Sequence, residues 1–359
     1  MFTRKYKTIV VLLSILLIAL LSGCTGSTYL ATSWPGVTVD ETTAYVASGP
    51  FIYAINLQDG TLKWKYPPDK ADPKKNYYAS PSLTVDGQLI VGSYDHSIYS
   101  LNPKSGSINW SFSGATNLYI ASPLVSEKGI FAPNADGKLY ALDFKGNQRW
   151  FFATKHPLWA TPATDDTCSC IFLASMDHKL FSVDAESGKL KWETDDLGGA
   201  LVAPPAISAD GTVYVGTFGN EVLAINANSG AIKWQFVTNG WVWSGVAFND
   251  GALYFGDLEG NFYAITSAGE ELWRIQPDGP IVSQPIFVDG NIVFTTEAGS
   301  VYMVDKDGNP VWNQTVGGKI YGPAVLVGDS ILVAPIETEV MLVSLTSSGV
   351  IEWSFTPAK

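Results

Sequence analysis

The chain has 359 residues, 46% of them hydrophobic, with 34 Gly and 20 Pro. It can bury a large core and is too apolar to be a disordered protein. Its formal net charge is −12 and its basic residues are not clustered, which argues against nucleic acid as a partner.

Residues 1–23 read as a targeting segment. Arg4, Lys5 and Lys7 precede Ile9–Leu21, a 13-residue run that is apolar except for Ser14 and short for a membrane span. The run ends in Leu21-Ser22-Gly23-Cys24, which resembles the lipobox of bacterial lipoprotein signals. That resemblance implies cleavage before Cys24, diacylglycerol on its sulfur and acylation of the new amino terminus. Several acyl chains on one residue give stable membrane attachment. The expectation is therefore an extracytoplasmic protein, tethered to the cell membrane or outer membrane through residues 24–33, with the fold in residues 34–359.

From there a single signal dominates. Gly precedes Trp by four residues eight times: Gly60/Trp64, Gly106/Trp110, Gly146/Trp150, Gly188/Trp192, Gly230/Trp234, Gly269/Trp273, Gly308/Trp312 and Gly349/Trp353. The Trp-to-Trp steps are 46, 40, 42, 42, 39, 39 and 41 residues. The fifth unit shows what one repeat contains. Pro204–Ser208, Thr212–Gly216, Glu221–Asn226 and Ala231–Phe236 read as four short strands joined by Gly-containing turns. Asp86-Gly87, Asp250-Gly251 and Asp289-Gly290 mark the first turn in other units, and no helical periodicity follows the targeting segment. Four-stranded antiparallel units at a forty-residue period predict an all-β protein, an eight-bladed β-propeller with no residues left for a second domain. In it the Gly closes the third turn. The Trp offers a flat face to the neighbouring blade and an N–H to a backbone carbonyl.

The motif Ala54-x-Asn56-x-x-Asp59-Gly60-x-x-x-Trp64, repeated as Ala224-x-Asn226-x-x-Ser229-Gly230-x-x-x-Trp234, resembles the tryptophan-docking motif of PQQ-type propellers. Blades three, six and seven shorten its turn by one residue, and the eighth has Leu345 at the usual Asp/Asn position. The resemblance covers essentially all of residues 34–359 and implies two alternatives. One is the small non-catalytic envelope lipoprotein typified by BamB of the outer-membrane β-barrel assembly machine, which binds another envelope protein or peptide. The other is a quinoprotein dehydrogenase holding pyrroloquinoline quinone and Ca²⁺. Lipobox, size and the lack of insertions favour the first. So does the absence of the adjacent cysteine pair and acidic cluster that the second implies.

Several side chains lie outside the repeat logic. Tyr77, Tyr78, Tyr119, Trp159, Trp241, Trp243 and Tyr321 stand just before the innermost strands, on connections that are usually polar. Tyr78, Tyr119, Trp159, Trp241, Trp243 and Tyr321 are thus candidates for a ligand or partner site at the channel mouth, or else fill the taper between blades. Lys74 and Lys75 belong to the insertion Asp69–Lys75, which lengthens the first step on that same face. His96 and His178 replace the Gly of turns such as Asp136-Gly137, so they are expected in the left-handed region rather than at a metal. Cys168 and Cys170, one residue apart, admit a bridge with or without a redox role, or a pair of thiols. No catalytic constellation, metal site or phosphate loop is assembled from the sequence. The expected molecule is a monomeric propeller that binds a protein segment or small ligand, with no cofactor.

Overall fold

A computed structural model describes residues 36–72, 74–165 and 167–358. The targeting segment, Cys24 and the 24–33 tether lie outside these residues. Thirty-two strands form eight sheets of four, each sheet antiparallel and in chain order, and no helix occurs among the described residues. Blade 1 comprises Val37–Val39, Thr43–Ser48, Phe51–Asn56 and Leu62–Tyr66. Blade 8 comprises Val325–Val327, Ser330–Val333, Leu342–Thr346 and Ile351–Phe355. First strands adjoin between blades 2 and 3, 4 and 5, 5 and 6, and 7 and 8, and the first strand of blade 1 adjoins that of blade 8, so the eight blades close into a ring.

The turn chemistry accounts for the tight hairpins. Asp250-Gly251 and Asp289-Gly290 take positive φ at both residues (48° and 79°; 49° and 78°), the pattern of a two-residue I′ turn. His96 and His178 sit at φ 67° and 66°, left-handed as expected. Blade 8 belongs with the shortened turns. Thr346 N donates to Val350 O, as Asp143 N does to Asn147 O in blade 3, so Thr346 rather than Leu345 occupies the Asp/Asn position.

In every blade the pairing of third and fourth strands slips once beside the docking Trp, as between Ala54 and Ile55 opposite Trp64. A bulge re-aims the side chain that follows it. Here it turns each indole onto the next blade, where the ring lies over that blade's turn Gly. Trp64 covers Gly106, Trp110 covers Gly146, Trp234 covers Gly269, Trp273 covers Gly308 and Trp312 covers Gly349. A Cβ on any of the eight glycines would come within 2.5–2.9 Å of a ring carbon. The Gly is therefore required twice, by its φ of 68–87° and by the ring above it.

The hydrogen bonds expected of these indoles form in seven blades, each to a carbonyl of the covered turn. Trp64 Nε1 donates to Pro103 O at 2.8 Å, Trp192 to Ala227 O at 2.9 Å and Trp234 to Ser267 O at 2.9 Å. Trp273 donates to Lys306 O at 2.8 Å and Trp312 to Ser347 O at 2.9 Å. Two blades depart from a simple N–H to backbone bond. Trp110 Nε1 is shared between Phe144 O at 3.0 Å and the side-chain Oε1 of Gln88 at 2.9 Å. Gln88 reaches that position because its own Nε2 also donates to Phe144 O. Trp150 is the full exception: its Nε1 is buried without a partner. None of the eight rings is a core residue. Trp64, Trp110, Trp150, Trp192, Trp234, Trp273, Trp312 and Trp353 are all half-buried, because one face covers the turn while the rim stays at the outer strand.

Ring closure, which the repeat pattern does not settle, uses the same device. Trp353 Nε1 donates to Leu57 O at 3.1 Å, and its ring covers Gly60. Val37, Val46 and Ile55 of blade 1 pack in one cluster with Leu332, Leu342 and Phe355 of blade 8. Both terminal blades carry four strands of their own, so no strand is shared between the ends of the described chain. The core as a whole consists of such layers between adjacent sheets. Phe131 and Leu139 of blade 3, for example, pack against Ile171 and Phe181 of blade 4.

Candidate functional site

The connections entering the blades share one register. Aligned on the Pro or small residue before each first strand, they read Tyr77-Tyr78-Ala79-Ser80, Tyr119-Ile120-Ala121-Ser122, Leu158-Trp159-Ala160-Thr161, Val242-Trp243-Ser244-Gly245 and Ile320-Tyr321-Gly322-Pro323. The first position is packed between blades. Tyr77 is 0% exposed and Tyr119 1% exposed, like Leu158, Val242 and Ile320. The second position lines a cavity of about 160 Å³ on the ring axis, to which all eight blades contribute, from Gly36 of blade 1 to Tyr321 of blade 8. Extended backbone alternates sides, so a one-residue step separates core from channel.

That register sorts the sequence candidates. Tyr78, Trp159, Trp243 and Tyr321 come together around the cavity. Tyr119 does not: it packs with Ile90, Ile98 and Ile130 between blades 2 and 3. Trp241 is 51% exposed and lies outside the cavity, stacked on Phe218 at 4.9 Å and 15°. Phe218 also meets Trp243 at 5.6 Å, so three rings form a track from the channel outward. On blade 2, Tyr78 stacks on Tyr94 at 5.0 Å and 17°. Lys75 lies over the Tyr99 ring at 4.5 Å and 3.9 Å from Asp95, which ties the insertion to its blade, whereas Lys74 is exposed. Phe218 and Tyr94 were missed from sequence. Each occupies the turn between second and third strands, and that turn's N–H bonds the entering connection (Tyr94 N to Asn76 O, Phe218 N to Ala200 O).

The cavity is electrically quiet. No Lys, Arg, Asp or Glu lines it. Burial raises the hydroxyls of Tyr78 and Tyr321 above the ordinary phenol range, the nearby Glu297 adding to the effect at Tyr321, so both stay neutral donors. The Trp159 indole N–H is buried in the cavity wall with no hydrogen-bond partner. A volume of about 160 Å³ is below the roughly 300–1,000 Å³ of drug-sized ligand sites. It suits one inserted side chain or a small uncharged group. Pyrroloquinoline quinone fits poorly, because its carboxylates would meet no cationic side chain there. Among the described residues no group of three or more His, Cys, Asp or Glu could hold a metal ion.

At the opposite ends of the blades, Cys168 and Cys170 are joined by a disulfide in the first hairpin turn of blade 4. His178 Nδ1 lies 3.2 Å from Asp196 Oδ1 in an exposed pair.

Comparison with known proteins gives three findings. The sequence profile of the family described as outer membrane protein assembly factor BamB matches residues 21–162, 157–242 and 238–355. Tetrathionate hydrolase of Acidithiobacillus ferrooxidans is 27% identical over 145 residues, which span 40% of this chain and only 25% of that enzyme. Among solved structures, BamB from Moraxella catarrhalis superposes with a TM-score of 0.71 at 15% identity, over 88% of this chain and 94% of that one. The computationally designed Ika8 protein superposes equally well, with a TM-score of 0.72 at 13% identity over 91% and 98% of the two chains. A designed protein that fits as well as a natural one means that these superpositions speak for the fold alone.

Proposed function

The chain belongs to the family of the outer membrane protein assembly factor BamB, and on that premise we propose that it is a non-catalytic scaffold which holds a segment of another envelope protein on its channel-mouth face. One observation carries this reading. Four large rings from four blades, Tyr78, Trp159, Trp243 and Tyr321, stand at a single register around one uncharged cavity, and the Phe218–Trp241 stack extends that surface outward. Aromatic concavities with few polar groups suit insertion of an apolar or aromatic anchor. The exposed Lys74, on the connection that enters blade 2, adds a cation to that face. Lipidation of Cys24 would tether the propeller to a membrane. The test is recovery of partners from solubilised membranes with the native chain and with the Trp159→Ala and Trp243→Ala variants. Loss of a partner with both variants, while thermal unfolding stays cooperative, supports the reading; undiminished recovery removes these rings from the site.

The part-length likeness to tetrathionate hydrolase favours a second reading, an enzyme. Turnover of tetrathionate, or dye reduction after addition of pyrroloquinoline quinone and Ca²⁺, would replace the scaffold reading.

A further inference from the structure

The residue before the docking Trp acts as a clamp in several blades. Lys63 Nζ donates to Thr42 O in blade 1, Arg149 Nη1 to Lys128 O in blade 3 and Lys191 Nζ to Cys168 O in blade 4. Each holds the carbonyl of its blade's first hairpin turn. In blade 4 that turn contains the Cys168–Cys170 disulfide, and the clamp places the Lys191 ammonium 3.4 Å from Cys170 Sγ. From the adjacent blade, Lys128 Nζ donates to the hydroxyl of Ser169, between the two cysteines. Ser169 itself is at φ 52°, a left-handed position that non-glycine residues seldom take. The two residues differ in burial: Cys170 is 2% exposed and sits in the core cluster, whereas Cys168 packs against that cluster and is only partly buried. A cleft of about 350 Å³, lined by Asp165, Thr167, Ser208 and Gly211, runs beside the turn between blades 4 and 5.

We propose that the Cys168–Cys170 pair is a thiol–disulfide exchange site which oxidises paired cysteine thiols of another polypeptide. A thiolate of the partner attacks Sγ of Cys168, the less buried of the two residues. The new intermolecular S–S bond forms as the Cys168–Cys170 bond breaks, and the electron pair leaves on Cys170 Sγ as a thiolate beside the Lys191 ammonium. The partner's second thiol loses its proton to solvent and attacks its own sulfur in the mixed disulfide, releasing Cys168. In total two electrons and two protons pass from the partner dithiol to the pair. A small-molecule disulfide returns the pair to its oxidised form. A cation beside a sulfur lowers the basicity of the thiolate, and a less basic thiolate leaves faster. Among the described residues, the charged groups facing the pair are Lys191, with Asp184 of the same blade 3.7 Å from it, and Lys128 of blade 3; the Asp165 carboxylate of the hairpin accepts from Thr167. This site is independent of the channel-mouth cavity and of the scaffold reading.

The test uses the full folded chain and reads the 168–170 peptide by alkylation and mass spectrometry. Reduced glutathione at neutral pH is expected to open the bridge without unfolding the propeller. The Lys191→Met variant should open several-fold more slowly, and Lys191→Arg should restore the rate. In the Cys168→Ser variant the Cys170 thiolate, followed by its ultraviolet absorbance, should titrate about one pH unit or more below its value in the Cys168→Ser/Lys191→Met pair. A dithiol peptide mixed with the native chain should gain one disulfide per bridge consumed. A bridge that opens only in denaturant overturns the proposal. Rates and titration indifferent to Lys191→Met overturn it as well, leaving Lys191 a turn clamp. Should Cys168→Ser fail to fold, the rate comparison on the intact disulfide decides.

Discussion

Trp353 of the last blade lies over Gly60 of the first, in the same contact that Trp150 makes with Gly188 and Trp192 with Gly230 in mid-chain. The Gly and Trp that stand four residues apart in the sequence therefore do not serve each other. Each Gly receives the ring of the preceding blade, and each Trp covers the Gly of the following one. Eight blades joined this way need no special closing strand, because the last contact is equivalent to the first seven.

Substitution of the turn glycines should separate the two demands on them. At Gly211, φ is 74° but no atom lies within 4 Å of an added Cβ. Gly211→Ala should therefore cost only the left-handed backbone penalty, about 1–2 kcal/mol. At Gly188, φ is 68° and the Cβ would stand 2.5 Å from Trp150 Cε3. Gly188→Ala adds an overpacking cost of about 1–3 kcal/mol to the same backbone penalty. Equilibrium denaturation of the two variants checks this; equal losses would show that the ring imposes nothing.

The indole N–H groups give a second matched pair. Trp192→Phe removes a donor from Ala227 O, a bond of 2.9 Å, and should cost about 0.5–1.5 kcal/mol more than the lost ring area. Trp150→Phe removes a buried N–H that has no partner, so the hydrogen-bond component should vanish or favour the variant. The difference between the two unfolding free energies is the measurement. A Trp150→Phe loss as large as that of Trp192→Phe would mean that its N–H is satisfied in solution.

How much of this was open to reading from sequence follows from what a repeat encodes. Eight Trp in one register specified the blade count, and alternation with Asp-Gly turns specified four strands, because both are local or periodic signals. What the periodicity hides is direction between blades: nothing in the Gly60–Trp64 spacing says that Gly60 meets Trp353. It also hides the differences among equivalent rings. Trp110 shares its N–H with Gln88, while Trp192 and Trp234 bond backbone alone, and the Asn/Asp-x-x-Ser-Gly-x-x-x-Trp motif reads the same in all three. The site was half legible for a related reason. Tyr78 and Tyr119 look alike beside their strands, yet Tyr78 is one step into the channel register and Tyr119 occupies the core register. Aligning Tyr77-Tyr78 with Leu158-Trp159 would have separated them. Phe218 and Tyr94 were out of reach, because their stacking on Trp241 and Tyr78 joins turns to connections that the sequence does not pair.

Tyr119 supplies a prediction that separates core from site. Its hydroxyl is buried with no partner, and burial raises it well above the ordinary phenol range. Tyr119→Phe should leave stability unchanged or raise it by about 0.5–1 kcal/mol, since an unsatisfied buried hydroxyl costs free energy. Partner recovery should match that of the native chain. A selective loss of binding would return Tyr119 to the site.

The hydrogen bond from Tyr263 to Asp257 in blade 6 predicts a loss of stability at alkaline pH. Asp257 is 0% exposed and accepts from Tyr263 OH at 2.7 Å, Gly240 N at 3.0 Å and Asn261 N at 2.9 Å. Burial, opposed by the Asn239 N–H and reinforced by the bond to the Asp257 carboxylate, pushes the Tyr263 hydroxyl up to about 12. The folded value lies above the unfolded value of about 10, so the protonated phenol is the form that folding favours. Its contribution is complete below pH about 10 and is lost as pH rises through about 12. Tyr45 and Tyr140 donate in the same way to Asp40 and Asp136 and are raised by the same causes, so native unfolding should steepen across that window. Tyr263→Phe should cost about 1.5–3 kcal/mol at pH 8, the range for a hydrogen bond to a charged group. The gap between native and variant stabilities should narrow as pH climbs from about 10 to about 12. Urea denaturation at pH values of about 8, 10 and 11.5 measures that gap, and one that stays constant with pH would exclude Tyr263 from the alkaline transition.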